Sequence, residues 1–261
     1  MPRSLWQVPP MPVPGYPQVH DVSQLLRRWR RVALAAKLKW HEYATEAGFP
    51  LVSLTNRRVH ESPDALYFSA GIHGDEPGAT EGLLRWAERE VDLLQRVPVL
   101  IFPCLNPWGL VNNSRFDHAG RDLNRTYHLR STPATAAHIR EIGDRTFAAA
   151  FTLHEDYDAD GVYIYEVAAA RPYVGEKMIV ATSPFIRPDV RKSIEGRRAR
   201  NGLIRRRVTP DLMPEWPETF FLHFGHARRT FTIETPSEHH IEDRVRAQVA
   251  AIDCGVRLSL G

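Results

Sequence analysis

The sequence predicts an α/β protein whose mostly parallel or mixed sheet is covered by helices. Three observations carry this. Short apolar runs at 65–68, 97–104, 148–153 and 229–233 read as buried strands, and stretches with apolar residues at helical spacing separate them. The length of 261 residues is enough to bury a sizeable core. Hydrophobic residues make up 43% and charged residues 25%, an ordinary globular composition, with no repeat or composition shift to mark a second domain.

Taken in order, the chain opens with an arm over residues 1–20 that holds Pro9, Pro10, Pro12, Pro14 and Pro17 and no periodic pattern. A single domain is expected over 21–261. From Val22 to about Ala47 the apolar spacing (Val22, Leu25, Leu26, Trp29, Val32, Leu34, Leu38) predicts a helix, with Asp21 as its N-cap and Gly48-Phe49-Pro50 as its stop. Leu51 to Thr55 alternates as a strand. Ala65-Leu66-Tyr67-Phe68 is the next, followed by the glycine-rich turn Ser69-Ala70-Gly71-Ile72-His73-Gly74-Asp75-Glu76-Pro77-Gly78 and a helix over 79–95. Pro77 suits the first turn of that helix, where a missing N–H costs nothing.

A strand over 97–104 ends at Leu105-Asn106-Pro107-Trp108-Gly109, and a polar loop rich in side-chain donors spans 112–125. A modest helix over 135–147 leads to the strand 148–153, which ends in His154. Residues 161–167 alternate as a strand, 168–181 read as helical, and the basic run at 187–207 reads as a solvated helical face. The strand 229–233 delivers Glu234, and 238–256 closes as a helix.

Several classes of function are disfavoured. The net charge of +3 is small for this length, and the basic run lacks the interleaved aromatics that stack bases, so nucleic acid is not expected. No apolar stretch reaches membrane-spanning length, and the N-terminus shows no signal-peptide pattern, so a soluble cytoplasmic protein is expected. Cys104 and Cys254 make neither a disulfide framework nor a thiolate metal cluster.

The chemistry gathers where strands end, at the edge that carries function in such sheets. His73 and Glu76 stand on the turn after one strand, His154 ends a second, and Glu234 ends a third. Two histidines and a carboxylate are a donor set that zinc accepts while keeping an open position for water. A further carboxylate is then needed to take the water's proton and return it to the leaving amine, and Glu234 suits that task. Read alone, Glu234 is more readily a cap of the helix that follows than a catalytic group. Asn124-Arg125 pairs an amide with a planar guanidinium suited to a carboxylate, and Arg115 can face a developing oxyanion. Asp156 and Asp158 are candidates to brace His154. His118 could contact substrate but reads rather as a loop histidine without a role; His239 and His240, adjacent on a helix, point apart and cannot chelate one ion; His20, His41, His60, His128 and His138 have no partner at ligand spacing, and all are set aside.

Taken together, Gly71-Ile72-His73-Gly74-Asp75-Glu76, Leu105-Asn106-Pro107-Trp108-Gly109, Arg115, Asp122-Leu123-Asn124-Arg125, His154 and Thr232-Ile233-Glu234-Thr235-Pro236 resemble the zinc metallocarboxypeptidases, the carboxypeptidase A-like M14 peptidases. The resemblance implies a single three-layer α/β/α domain with a mixed, largely parallel sheet. It also implies zinc on His73, Glu76 and His154, carbonyl polarisation by Arg115, a carboxylate grip by Asn124 and Arg125, and Glu234 as general base and acid. One departure is that 210–233 has no tyrosine where digestive members carry one ahead of the base; Trp216, Phe220, Phe221, His223 and His226 are among the aromatic groups available there instead. With the short interval from Glu76 to His154, this looks more like the compact bacterial members that cut murein peptides, or the aspartoacylase and succinylglutamate desuccinylase group.

Three readings stay open: a metallocarboxypeptidase acting on a peptide C-terminus, a deacylase of small N-acyl amino acids, and a non-catalytic binding module on the same fold. The basic run adds the expectation that the substrate is acidic around the cleaved bond.

Overall fold

The computed structural model describes residues 19–260 apart from 61, 63, 169–170 and 206, and leaves out the side chains of 57 and 60. The proline-rich arm therefore lies outside the described residues except for Val19 and His20.

Helix α1 (Val22–Ala36) starts where expected, with the Asp21 side chain accepting from Gln24 N at 2.9 Å. It is shorter than its apolar spacing implied. Lys37 turns into the left-handed region at φ +56° and closes the helix, and 39–46 form strand β1 (Lys39–Glu46) instead of continuing it. Ala47 and Gly48 take φ +49° and +85°, the paired positive φ of a two-residue hairpin, so Gly48 joins β1 to the antiparallel β2 (Phe49–Thr55) rather than stopping a helix.

Strand β3 (Leu66–Ala70) leads to α2 (Pro77–Arg89), which breaks at Glu90 before α3 (Val91–Arg96); one helix was expected here. Then come β4 (Val99–Phe102), the short α4 (Pro107–Asn112), a 3-10 turn (Leu123–Arg125), α5 (Pro133–Ile142) and β5 (Ala149–Asp156). Strand β6 (Tyr163–Ala168) precedes α6 (Gly175–Thr182). The basic run is not helical. It folds into a two-stranded ribbon, β7 (Ser193–Ile194) and β8 (Arg197–Arg198), followed by β9 (Leu203–Arg205), because Glu195 and Gly196 at φ +48° and +69° reverse the chain. Helix α7 (Glu218–Gly225), β10 (Arg229–Pro236) and α8 (Ile241–Leu260) complete the chain.

The main sheet runs β1-β2-β4-β3-β5-β10-β6-β9, with β4, β3, β5 and β10 mutually parallel at its centre. Pairing across β1-β2, β2-β4 and β10-β6 is antiparallel. Successive side chains of a strand point to opposite faces. Leu66, Phe68 and Ala70 of β3 therefore pack with α1, α2, α6 and α8, while Tyr67 faces the other way with residues of α5 and α7. Both faces are covered, so the expected three-layer α/β/α arrangement with a mixed, largely parallel sheet is observed. No helix among the described residues is long and apolar enough to cross a membrane.

Candidate active site

The turn after β3 is held by direct backbone contact with the turn after β4. Gly71 takes φ +65°, Asn106 N donates to Gly71 O at 2.8 Å, and Gly74 N donates to Ser114 O at 2.9 Å. A Cβ built on Gly74 would lie 1.9 Å from the carbonyl carbon of Gly109, so only glycine permits this approach. Asn106, at the strand end, is occupied structurally: its Oδ1 caps α4 through Gly109 N and its Nδ2 donates to Phe116 O. Pro77 opens α2 as expected, and the Glu76 side chain makes no cap bond, which leaves it facing the two histidines.

His73, Glu76 and His154, each 3% exposed, converge. One potential ligand atom from each lies within 4.8 Å of the others. His73 Nδ1 is 2.5 Å from Glu76 Oε1, and His154 Nδ1 is 3.0 Å from Glu76 Oε2. Burial disfavours the charged form of every member, yet the two imidazoles beside Glu76 hold its carboxyl below the usual range. Burial alone would lower His73, but Glu76 and then Asp122 outweigh it and raise the imidazole to about 9. Two ring nitrogens aimed at a buried, ionised carboxylate form a donor set that fits a divalent cation.

Asp122 carries a role that the sequence did not disclose. Its Oδ1 lies 3.1 Å from His73 Nε2, and its Oδ2 accepts from Arg115 Nε at 3.2 Å and Nη2 at 3.0 Å. Burial works against its charge, but His73 and then Arg115 hold the carboxyl far below its ordinary value. Asp122 therefore orients both a candidate ligand and the candidate oxyanion partner, and Arg115 Nη1 reaches 3.3 Å from His73 Nδ1. In sequence, an Asp two residues before Asn124 reads only as a local cap, which it also is, since Oδ1 accepts from Asn124 N at 2.9 Å. Asp122→Asn is expected to weaken metal affinity about 10- to 100-fold, the usual effect of losing such a brace, measured by competition with a chelator.

Asn124 is buried, and its Oδ1 accepts from Glu218 N at 2.9 Å. That bond fixes the amide so that its NH₂ is the free end. Behind it, Tyr127 OH lies 2.7 Å from His138 Nδ1, His138 Nε2 lies 2.9 Å from Tyr67 OH, and Tyr67 OH donates to Glu218. This buried chain anchors the start of α7 against β3. Arg125 is exposed, donates to Asn124 O at 2.8 Å, adds to the positive charge that holds Asp122 ionised, and forms no direct salt bridge among the described residues.

Glu234 pairs in register with His154 across the parallel β10-β5 ladder and with Tyr163 across β6. It does not cap α8, because β10 continues to Pro236 and the helix begins only at Ile241. Burial raises its carboxyl well above the usual range; His154 opposes the rise, and Glu76 adds to it.

His73, Glu76, His154, Arg115, Asn124, Arg125 and Glu234 line one cavity of about 340 Å³. Thr219, Thr232, Val167 and Phe220 also line it, as do Tyr163, Tyr165, Glu195 and Arg197. The sequence reading missed these last four. The phenols that face the cavity come from β6 and not from 210–233, where Phe220 is the one expected aromatic that lines it. Asp156 and Asp158 do not brace His154: Asp156 accepts from Tyr163 OH at 2.9 Å and from Asp158 N at 2.9 Å. His118 faces away and pairs with Glu46 at 3.2 Å. Glu46, Asp117 and His118 also come together, but the Arg121 guanidinium already provides a cation there, 2.7 Å from Asp117.

Residues 63–160 match the succinylglutamate desuccinylase/aspartoacylase catalytic domain family. In an alignment 131 positions long that covers 41% of this chain, the sequence is 31% identical to carboxypeptidase SOL1 of Arabidopsis thaliana, and the match spans about a quarter (26%) of that protein. The fold is shared widely. A protein from Shewanella baltica, whose name proposes a metallopeptidase, superposes with a TM-score of 0.82 at 19% identity over 92% of this chain and 93% of its own. A metallo-carboxypeptidase from Burkholderia cenocepacia gives 0.67 at 17% over 92% and 69%. Carboxypeptidase A from Helicoverpa armigera gives 0.68 at 14% over 92% and 73%. The fold is that of these metallocarboxypeptidase-like structures, as the residue resemblance implied.

Proposed function

We propose that this chain is a zinc-dependent hydrolase that cleaves an amide bond next to a free carboxylate, acting first on peptide C-termini. The observation that carries the reading is the convergence in one cavity of a buried His73–Glu76–His154 donor set, Glu234, and the Asn124–Arg125 pair. The chemistry supplied by a bound zinc is Lewis-acid polarisation and a water made acidic enough to attack near neutral pH. The chain's own residues do the rest. Asn124 Nδ2 and the Arg125 guanidinium hold the substrate's carboxylate, which places the scissile carbonyl between Arg115 and Glu234. Glu234 takes a proton from the attacking water as the oxygen bonds to the carbonyl carbon. The charge that develops on the carbonyl oxygen faces Arg115, whose guanidinium Asp122 keeps fixed. As the C–N bond breaks, Glu234 returns the proton to the leaving nitrogen; its raised affinity for a proton suits that return.

The match to the desuccinylase/aspartoacylase domain favours a second reading, deacylation of small N-acyl amino acids, with the same residues in the same roles. The cavity, about 340 Å³, is at the small end of ligand sites and suits either a dipeptide end or an acylated amino acid. In both readings the free carboxylate is required. A charge-assisted bidentate contact contributes roughly 1.5–3 kcal/mol, so Arg125→Ala should lower kcat/KM on free-acid substrates by about one to two powers of ten. Comparing N-acyl dipeptides with their C-terminal amides measures this; equal turnover of acid and amide by the parent protein contradicts the assignment.

A further inference from the structure

His138 sits on α5, 2% exposed, away from the metal donor set and outside the cavity lining. Its ring packs edge-on against Phe102, with centroids 4.2 Å apart. Both of its nitrogens are used. Nδ1 lies 2.7 Å from Tyr127 OH and Nε2 lies 2.9 Å from Tyr67 OH, and both tyrosines are buried.

The partners fix where each proton lies. Tyr67 OH donates to Glu218, so the Tyr67 oxygen has only acceptor capacity left for His138. Nε2 therefore carries the imidazole proton, Nδ1 is the acceptor, and Tyr127 OH donates to it. The chain runs one way, from Tyr127 through His138 and Tyr67 to Glu218. An imidazolium would present a donor at both nitrogens and break this order. Burial lowers the His138 imidazole to about 3, so the neutral ring is the form present near neutral pH.

The chain closes on the carboxylate grip. Glu218 opens α7, but its side chain makes no cap bond there and turns to Tyr67 on β3. Its backbone N–H donates to Asn124 Oδ1 at 2.9 Å. Tyr127, where the chain begins, follows Asn124 by three residues, and its own N–H donates to Trp216 O at 3.3 Å. The turn that carries Asn124 and Arg125 is thus held on both sides by one circuit, with His138 as its hub. An apolar core could fill the same space. It could not fix the direction of the Asn124 amide, which a fully paired buried network does.

We propose that His138 is a positioning residue for the substrate carboxylate: through Tyr127 on one side, and Tyr67 and Glu218 on the other, it holds the Asn124 amide in the orientation that donates to that carboxylate. The inference rests on the proposed hydrolase reading for its functional consequence.

The test uses the full chain loaded with zinc. N-benzoylglycyl-L-phenylalanine and its C-terminal amide are compared as substrates, and 3-phenylpropanoate and 3-phenylpropanamide, which offer no peptide bond, as calorimetric ligands. Tyr127→Phe and Tyr67→Phe each remove one hydroxyl. Each should raise KM on the free acid about 3- to 10-fold, leave kcat within about twofold, and lower both acid-to-amide ratios by the same factor. The double variant should be little worse than either single one, because both break the same circuit. His138→Phe should match the double variant; should it fail to fold, the tyrosine variants decide. Glu218→Gln keeps an acceptor for Tyr67 and the N–H for Asn124, so its ratios should stay near those of the parent. Leu94→Val, buried on the other face of the sheet, is the control for lost stability and should leave the ratios intact.

Ratios that hold in the tyrosine variants, or that fall as much in Leu94→Val, overturn the inference, as does a loss confined to kcat. Effects of the two tyrosines that multiply in the double variant overturn the circuit. A parent with no preference for acid over amide in either readout overturns the inference together with the carboxylate grip. A calorimetric preference that responds to the variants without any hydrolysis supports the positioning role while the hydrolase reading fails. Hydrolysis with an acid preference that no variant moves does the reverse.

Discussion

Glu234→Gln should bind one zinc per chain, melt with the parent and turn over about 10² to 10⁴ times more slowly. Shape and polarity barely change, so the loss should fall on kcat while substrate affinity stays near that of the parent. The structure already separates this from a capping role, since Glu234 lies within β10 beside His154, and Ser237 to His240 stand between the end of β10 at Pro236 and the start of α8. Zinc content tests the remaining alternative. A Gln variant that loses its metal makes Glu234 a ligand, and one that stays fully active ends the proposed proton transfer.

His154→Ala should have the second large effect. Glu76 would keep one imidazole partner in place of two, and the donor set would fall from three to two. Under dialysis that leaves the parent at one zinc per chain, the variant should hold well under half an equivalent, and turnover should fall at least about 10²-fold with it. His154→Gln serves as the less disruptive companion, because the site is buried and a cavity at residue 154 could itself destabilise β5. Stoichiometric zinc in both variants would contradict the ligand assignment.

How much of this was legible in the sequence depended on which forces act locally. The central strands and the helices that cover them follow from apolar runs and periodicity, and His73, Glu76, His154 and Glu234 could be placed because each sits at or just beyond the end of such a run. Where the reading failed, a turn decided the outcome. The apolar spacing of α1 runs on through Leu38, but Lys37 adopts a left-handed conformation and residues 39–46 pair with β2. The basic run has enough charge for a solvated helix, yet Glu195-Gly196 folds it into a ribbon and puts Arg197 in the cavity. Asp122 shows a different limit. Its spacing announces only a local cap, while its bonds to His73 and Arg115 span 49 and 7 residues and exist only once β3 and the loop are folded together. Tyr163 and Tyr165 likewise reach the cavity through antiparallel pairing with β10, a neighbour relation that no local pattern encodes.

The most direct test of the central claim is turnover of a free-acid N-acyl dipeptide by the parent protein, stripped with chelator and titrated with zinc. The account predicts no turnover in the stripped protein and activity that rises linearly to a plateau at one zinc per chain. Full activity in the metal-free protein, or a plateau with no relation to the zinc bound at His73, Glu76 and His154, would contradict it.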